Sequence, residues 1–144
     1  MTKNGLVLGT MLTTLVLLAP GCATTSGGGP GDLSDEEQIT KMFADWKTAF
    51  ELGDVEAFTT MYSDAYSNSD GMTKEGIAQT VTFLADEGYL EYINIGLGGA
   101  QAVVTGDSAQ MTGIAFETPE GGEDVGFVLE RQDDGTWKIV ADVE

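Results

Sequence analysis

Histidine is absent from the 144 residues, and cysteine occurs once, at position 22. Those counts remove much nucleophilic and metal chemistry at the outset. There is no imidazole to activate a serine or a thiol, and zinc has neither histidine nor a set of thiolates to bind. What remains is carboxylate: 24 Asp and Glu against six Lys and Arg, a formal net charge of −18. Carboxylates at the right spacing hold calcium, and Asn68-Ser69-Asp70-Gly71 has the middle of a calcium loop. Tyr66, however, stands where the first acidic ligand belongs, and Ile77 where the closing glutamate belongs. Glu117, Glu120, Glu123 and Asp124 gather around one turn and read as a solvated acidic loop, with weak calcium binding as the alternative. Gly96-Leu97-Gly98-Gly99 has the glycines of a phosphate loop, but a strand follows it, so the helix N-terminus that binds the anion is missing. No metal and no cofactor is expected. Nucleic acid is not an expected partner either, because a field this negative repels phosphate backbones.

Cys22 is placed for a different chemistry. Before it come Lys3 and an apolar run from Gly5 to Ala19. That run is too short for a membrane-spanning helix, which needs about 20 apolar residues, and has the layout of an export signal. Leu18-Ala19-Pro20-Gly21-Cys22 resembles the bacterial lipobox, with a small residue before the cysteine, although Ala19 stands where leucine is usual. The resemblance implies cleavage after Gly21, lipid attachment at Cys22, and an extracytoplasmic protein held at a membrane. Ala23 is not the aspartate that marks inner-membrane retention, which implies the outer membrane if the envelope is Gram-negative. A lone cysteine has no partner for an intrachain disulfide, and acylation gives it a role. The expected organisation is a signal over 1–21, the anchored Cys22 with a flexible Gly-rich tether over 22–33, and one domain over 34–144.

The elements of that domain are legible from caps and periodicity. Ser34-Asp35-Glu36-Glu37 is a capping box, and Ile39, Met42, Phe43, Trp46, Ala49 and Phe50 follow at helical spacing. Gly53 ends this helix and Asp54 caps a second, shorter one carrying Val55, Phe58, Met61 and Tyr62. The turn-rich 64–71 segment, with room for a short strand at Ala65–Asn68, leads to a third helix over Lys74–Asp86. Beyond Gly88 the period becomes two, predicting strands at Tyr89–Ile95, Gln101–Thr105, Ala109–Glu117, Val125–Arg131 and Thr136–Val143. Trp137, Ile139 and Ala141 are expected to face the helices, as are Phe127 and Leu129. Helices first and hairpins after predict an α+β domain with three helices on one curved antiparallel sheet.

In that order, the Trp46 helix, the Gly53-Asp54 junction, Tyr62-Ser63-Asp64, Gly71-Met72-Thr73-Lys74 and the final DDGTWKIVADV hairpin resemble the nuclear transport factor 2 (NTF2)-like superfamily. The resemblance is to its SnoaL-like, cystatin-like cone form, and it implies a cone-shaped sheet around a pocket. Trp46, Tyr62, Tyr66, Tyr92, Phe116 and Phe127 are then candidates to line that pocket for a small apolar ligand, or simply to fill the core. Superfamily enzymes abstract a proton beside a carbonyl, and the resemblance puts Asp64 near the catalytic acid, with Tyr62 or Tyr66 as hydrogen-bond donor. That role needs a buried carboxylate and a donor aimed at the oxyanion; otherwise Asp64 brackets a turn. The first helix carries no tyrosine to serve as such a donor. The leading expectation is therefore a ligand-binding or protein-interaction module without catalysis. An isomerase or dehydratase is the alternative, and a homodimer through the sheet face is a further possibility.

Overall fold

A computed structural model describes residues 33–143; the expected export signal, Cys22 and most of the expected tether lie outside the described residues. The first helix, α1, runs over Asp35–Leu52, and both capping-box bonds join Ser34 and Glu37. It ends at Gly53, which takes φ 66°, a left-handed conformation that glycine adopts without steric cost. Asp54 then caps α2, Val55–Thr60, by accepting from the Ala57 N–H, and Thr73 caps α3, Lys74–Asp86. Three helices pack on one antiparallel sheet, as the α+β expectation has it.

The sheet comprises β1 (Asn94–Gly96), β2 (Gln101–Thr105), β3 (Ser108–Thr118), β4 (Gly121–Arg131) and β5 (Trp137–Asp142). Its spine is β3–β4–β5, and β1 and β2 lie end to end along the free side of β3. Two register shifts bend it. One falls between Met111 and Ile114 on β3, the other opposite Val128–Leu129 on β4. Such bulges add a residue to one strand and sharpen its bend. The first lets the sheet curve around α1, whose buried residues Ile39, Phe43, Trp46, Ala49 and Phe50 form the centre of the core.

Several expectations are corrected. Tyr89–Ile95 is not a strand: Tyr89–Tyr92 forms a 3-10 turn, and only Asn94–Gly96 pairs with β3. Gly88, at φ 74°, redirects the chain after α3, and Leu90 packs close to Gly53 at the α1–α2 junction. The segment Ala65–Asn68 makes only an isolated bridge, Ser67 to Thr73. The acidic turn is tighter than expected, because β3 and β4 stay paired up to Thr118 and Gly121. Ala141 does not follow Trp137 and Ile139 to the inner face. The register shift puts it opposite Val128 and brings Asp142 opposite the buried Phe127.

Candidate functional site

Trp46 is the hub of the interior. Its ring lies within 6.3 Å of five others, those of Phe43, Phe50, Phe58, Phe116 and Phe127, in tilted, edge-on and stacked arrangements. Trp46, Tyr62, Tyr66 and Phe127 are buried and Phe116 is half-buried, so five of the six proposed lining residues meet in one cluster. They fill the concave face of the sheet. Tyr92 does not join them: it is 57% exposed, on the 3-10 turn before β1.

Two polar links cross this apolar cluster. The Trp46 indole N–H donates to the Tyr62 hydroxyl at 3.1 Å, and the Tyr66 hydroxyl donates to Asp142 Oδ1 at 2.8 Å. The two tyrosine rings stand edge to face, 4.9 Å apart. Asp142 reaches Tyr66 because of the β5 bulge: unbroken alternation would have turned it to the outer face with Lys138 and Val140. Burial pushes both phenols above their ordinary range. For Tyr62 the Trp46 hydrogen bond opposes that shift, while for Tyr66 the Asp142 carboxylate adds to it. Both therefore stay protonated at neutral pH. The Tyr66 proton is spent on a carboxylate of its own chain rather than aimed at a cavity where an oxyanion could form. Asp142 was not singled out from the sequence, since only the bulge reveals which way it turns.

Asp64 is elsewhere. It follows α2 in the tight 63–66 turn, where the Ser63 carbonyl accepts from the Tyr66 N–H. Its side chain is 97% exposed and paired with Lys74 Nζ at 2.7 Å. The hydrogen bond from Lys74 and its charge hold the carboxyl below the usual aspartate range, the opposite of what a general base near neutral pH requires. Asp64 and Lys74 border an open surface groove of about 510 Å³, with Thr59, Thr73, Glu75 and Ala78. Among the described residues no cluster of three or more Asp, Glu, His or Cys is placed to hold a metal, and no helix is long and apolar enough to cross a membrane.

Solved structures place this architecture. The described domain superposes on an NTF2-like protein with a cystatin-like fold from Novosphingobium aromaticivorans, at a TM-score of 0.56 and 16% identity. The match covers 74% of this chain and 77% of that one. The fold is the NTF2-like, cystatin-like cone. A protein of Shewanella frigidimarina named for ketosteroid isomerase shares the cone at TM-score 0.58 and 21% identity, over 73% of this chain and 92% of that one. Bd1075 of Bdellovibrio bacteriovorus shares it at TM-score 0.59 and 17% identity over 73% of this chain, but there the cone makes up only 39% of the longer protein. No protein-family model and no curated protein matches the sequence. Identities this low carry the fold across and leave the chemistry to the site itself.

Proposed function

We propose that this chain is a lipid-anchored, extracytoplasmic NTF2-like module that works through contacts on its outer surface and not by catalysis in its interior. The observation that carries the reading is the filled cone. Trp46 and the phenylalanines around it pack ring against ring in the interior where the family resemblance implies a pocket. The occurrence of the same cone as a minor part of the longer Bd1075 chain is consistent with an accessory role. The alternative, an isomerase or dehydratase with Asp64 as base, draws on the name of the Shewanella neighbour. Against it stand the exposure of Asp64 and the commitment of the Tyr66 proton to Asp142.

The test uses the full-length chain purified from its own membranes in mild detergent. Intact mass under native conditions is expected to show no stoichiometric small molecule, and Asp64→Asn is expected to leave retained partner proteins unchanged. A bound small molecule at one per chain would overturn the reading. The anchor is tested separately by mass spectrometry of the mature N-terminus, where an acylated Cys22 is expected; an unacylated first residue at another position sinks that part alone.

A further inference from the structure

The two edges of the sheet are treated differently by the fold. Along β5 the outer edge is occupied: the Ser63 N–H donates to the Ile139 carbonyl, the Ile139 N–H to the Met61 carbonyl, and the Ser67 N–H to the Val140 carbonyl. Along β2, among the described residues, no group outside β3 hydrogen-bonds the backbone of Gln101–Thr105. The strand is joined to β3 by the two-residue turn Gly106-Asp107, with Thr105 opposite Ser108. In such a hairpin the pair flanking the turn exchanges both backbone bonds and the pairs then alternate. Thr105, Val103 and Gln101 therefore bond to β3, while the N–H and C=O groups of Ala102 and Val104 point outward, without a partner among the described residues.

An open edge is ordinarily guarded by charge, proline or a bulge. β2 carries no charge, proline or bulge, and α1, which packs against it, makes no hydrogen bond to its backbone. From Ile93 to Phe116 the sequence carries a single charged residue, Asp107, although the chain as a whole has 24 acids. The exposed side chains of β2 are Gln101, Val103 and Thr105, with Val103 61% exposed, and those of β3 beside them include Gln110 and Thr112. A chain of net charge −18 repels its own copies wherever acids meet, so two copies can approach closely only across a neutral surface. The β2 edge is such a surface.

We propose that β2 is a docking edge for β2 of a second copy of this chain, paired antiparallel about a two-fold axis at Val103. The arrangement is self-complementary, as a two-fold contact must be. Ala102 and Val104 exchange backbone bonds with Val104 and Ala102 of the other copy. Val103 meets Val103 in a non-hydrogen-bonded pair, and Gln101 meets Thr105. No carboxylate opposes another, and the result is one continuous sheet across both copies. This is edge pairing and differs from a dimer through the sheet face; it does not depend on the absence of catalysis.

The register makes it testable in the full-length chain in its own membranes. A non-hydrogen-bonded antiparallel pair sets its Cα atoms about 4.5 Å apart, inside the roughly 4.4–6.8 Å that a disulfide spans. Under mild oxidation Val103→Cys is expected to give a covalent dimer on a non-reducing gel, while Gln110→Cys, exposed on β3 but off the edge, does not. Gln101→Cys and Thr105→Cys chains are each expected to stay monomeric alone and to cross-link when co-expressed. Raising the salt concentration is expected to increase the yield by screening acid–acid repulsion. Equal cross-linking at Val103 and Gln110, failure of the Gln101–Thr105 pair, or a disulfide from Val103→Cys to a different protein would each overturn the proposal.

Discussion

Gly113 lies at the β3 bulge that bends the sheet around α1, and its backbone sits at φ 74°. Gly88, after α3, has the same φ of 74° but open space around it, so the two positions separate backbone strain from crowding. An alanine at either position pays for the left-handed conformation, about 1–2 kcal/mol. At 113 the added Cβ would also fall 2.6 Å from the Gly99 carbonyl oxygen and 3.2 Å from its carbon. Those are backbone atoms that cannot swing aside. The 97–100 loop and β3 must part, at an overpacking cost of about 1–3 kcal/mol. Gly113→Ala should therefore lose about 2–5 kcal/mol in total, a large share of the roughly 5–15 kcal/mol that holds such a domain. With a urea slope of about 2 kcal/mol per molar, the midpoint drops by about 1–2.5 M for Gly113→Ala and by about 0.5–1 M for Gly88→Ala. Circular dichroism during urea unfolding reads both. Equal drops would refute the reasoning, because the crowding at Gly99 would then contribute nothing.

Trp46→Ala removes the hub of the core and is expected to cost about 3–5 kcal/mol in the same assay. The cavity left is apolar, so added indole should restore part of the loss; no recovery would mean the core had collapsed into the gap. Tyr66→Phe removes the bond to Asp142 and should cost about 1.5–3 kcal/mol at neutral pH. Because burial raises the folded pKa of Tyr66, its contribution is present below the ordinary phenol value and is lost as pH climbs above about 10. The alkaline fall in stability should be shallower in Tyr66→Phe, and an unchanged slope would count against the assignment. On the acid side, the hydrogen bond from Arg131 lowers the Asp35 pKa, so that contribution is present above the unfolded value of 3.8 and lost as pH falls below it. Asp35→Asn should flatten the loss of stability between about pH 5 and pH 3, as seen in urea midpoints across that range.

Local signals carried most of the helical half. The Ser34–Glu37 capping box, the left-handed Gly53 and the Asp54 cap all depend on residues within a few positions of one another. The strand half was less legible where tertiary contacts overrule alternation. Tyr89, Tyr92, Ile93 and Ile95 are the aromatic and β-branched residues a strand favours, yet the turn at Gly88 and the packing of Leu90 near Gly53 coil the start of that stretch. Glu123 and Asp124 are paired β positions that looked like a loop, because this end of the hairpin is exposed and has no apolar alternation. At the site, Trp46 and Tyr62 are separated by 16 positions, and Tyr66 and Asp142 by 76. The second link also needs the β5 bulge, which no residue type announces. Whether an aromatic set lines a cavity or fills one is not written in composition, since both outcomes use the same side chains.

The position of Trp46 has an optical consequence. Its indole is sealed from water, hydrogen-bonded to one phenol and ringed by side chains from α1, α2, β3 and β4. Light absorbed by the nearby tyrosines can pass to it, and its emission wavelength and lifetime respond to any opening of those layers. Loosening of α2, straightening of β3 or slippage of β4 would each disturb this emitter, whose signal is the part of the emission lost when Trp46 is replaced by Phe and only Trp137 remains. The chain thus carries an internal reporter, read without any label, of whether these layers stay packed on one another.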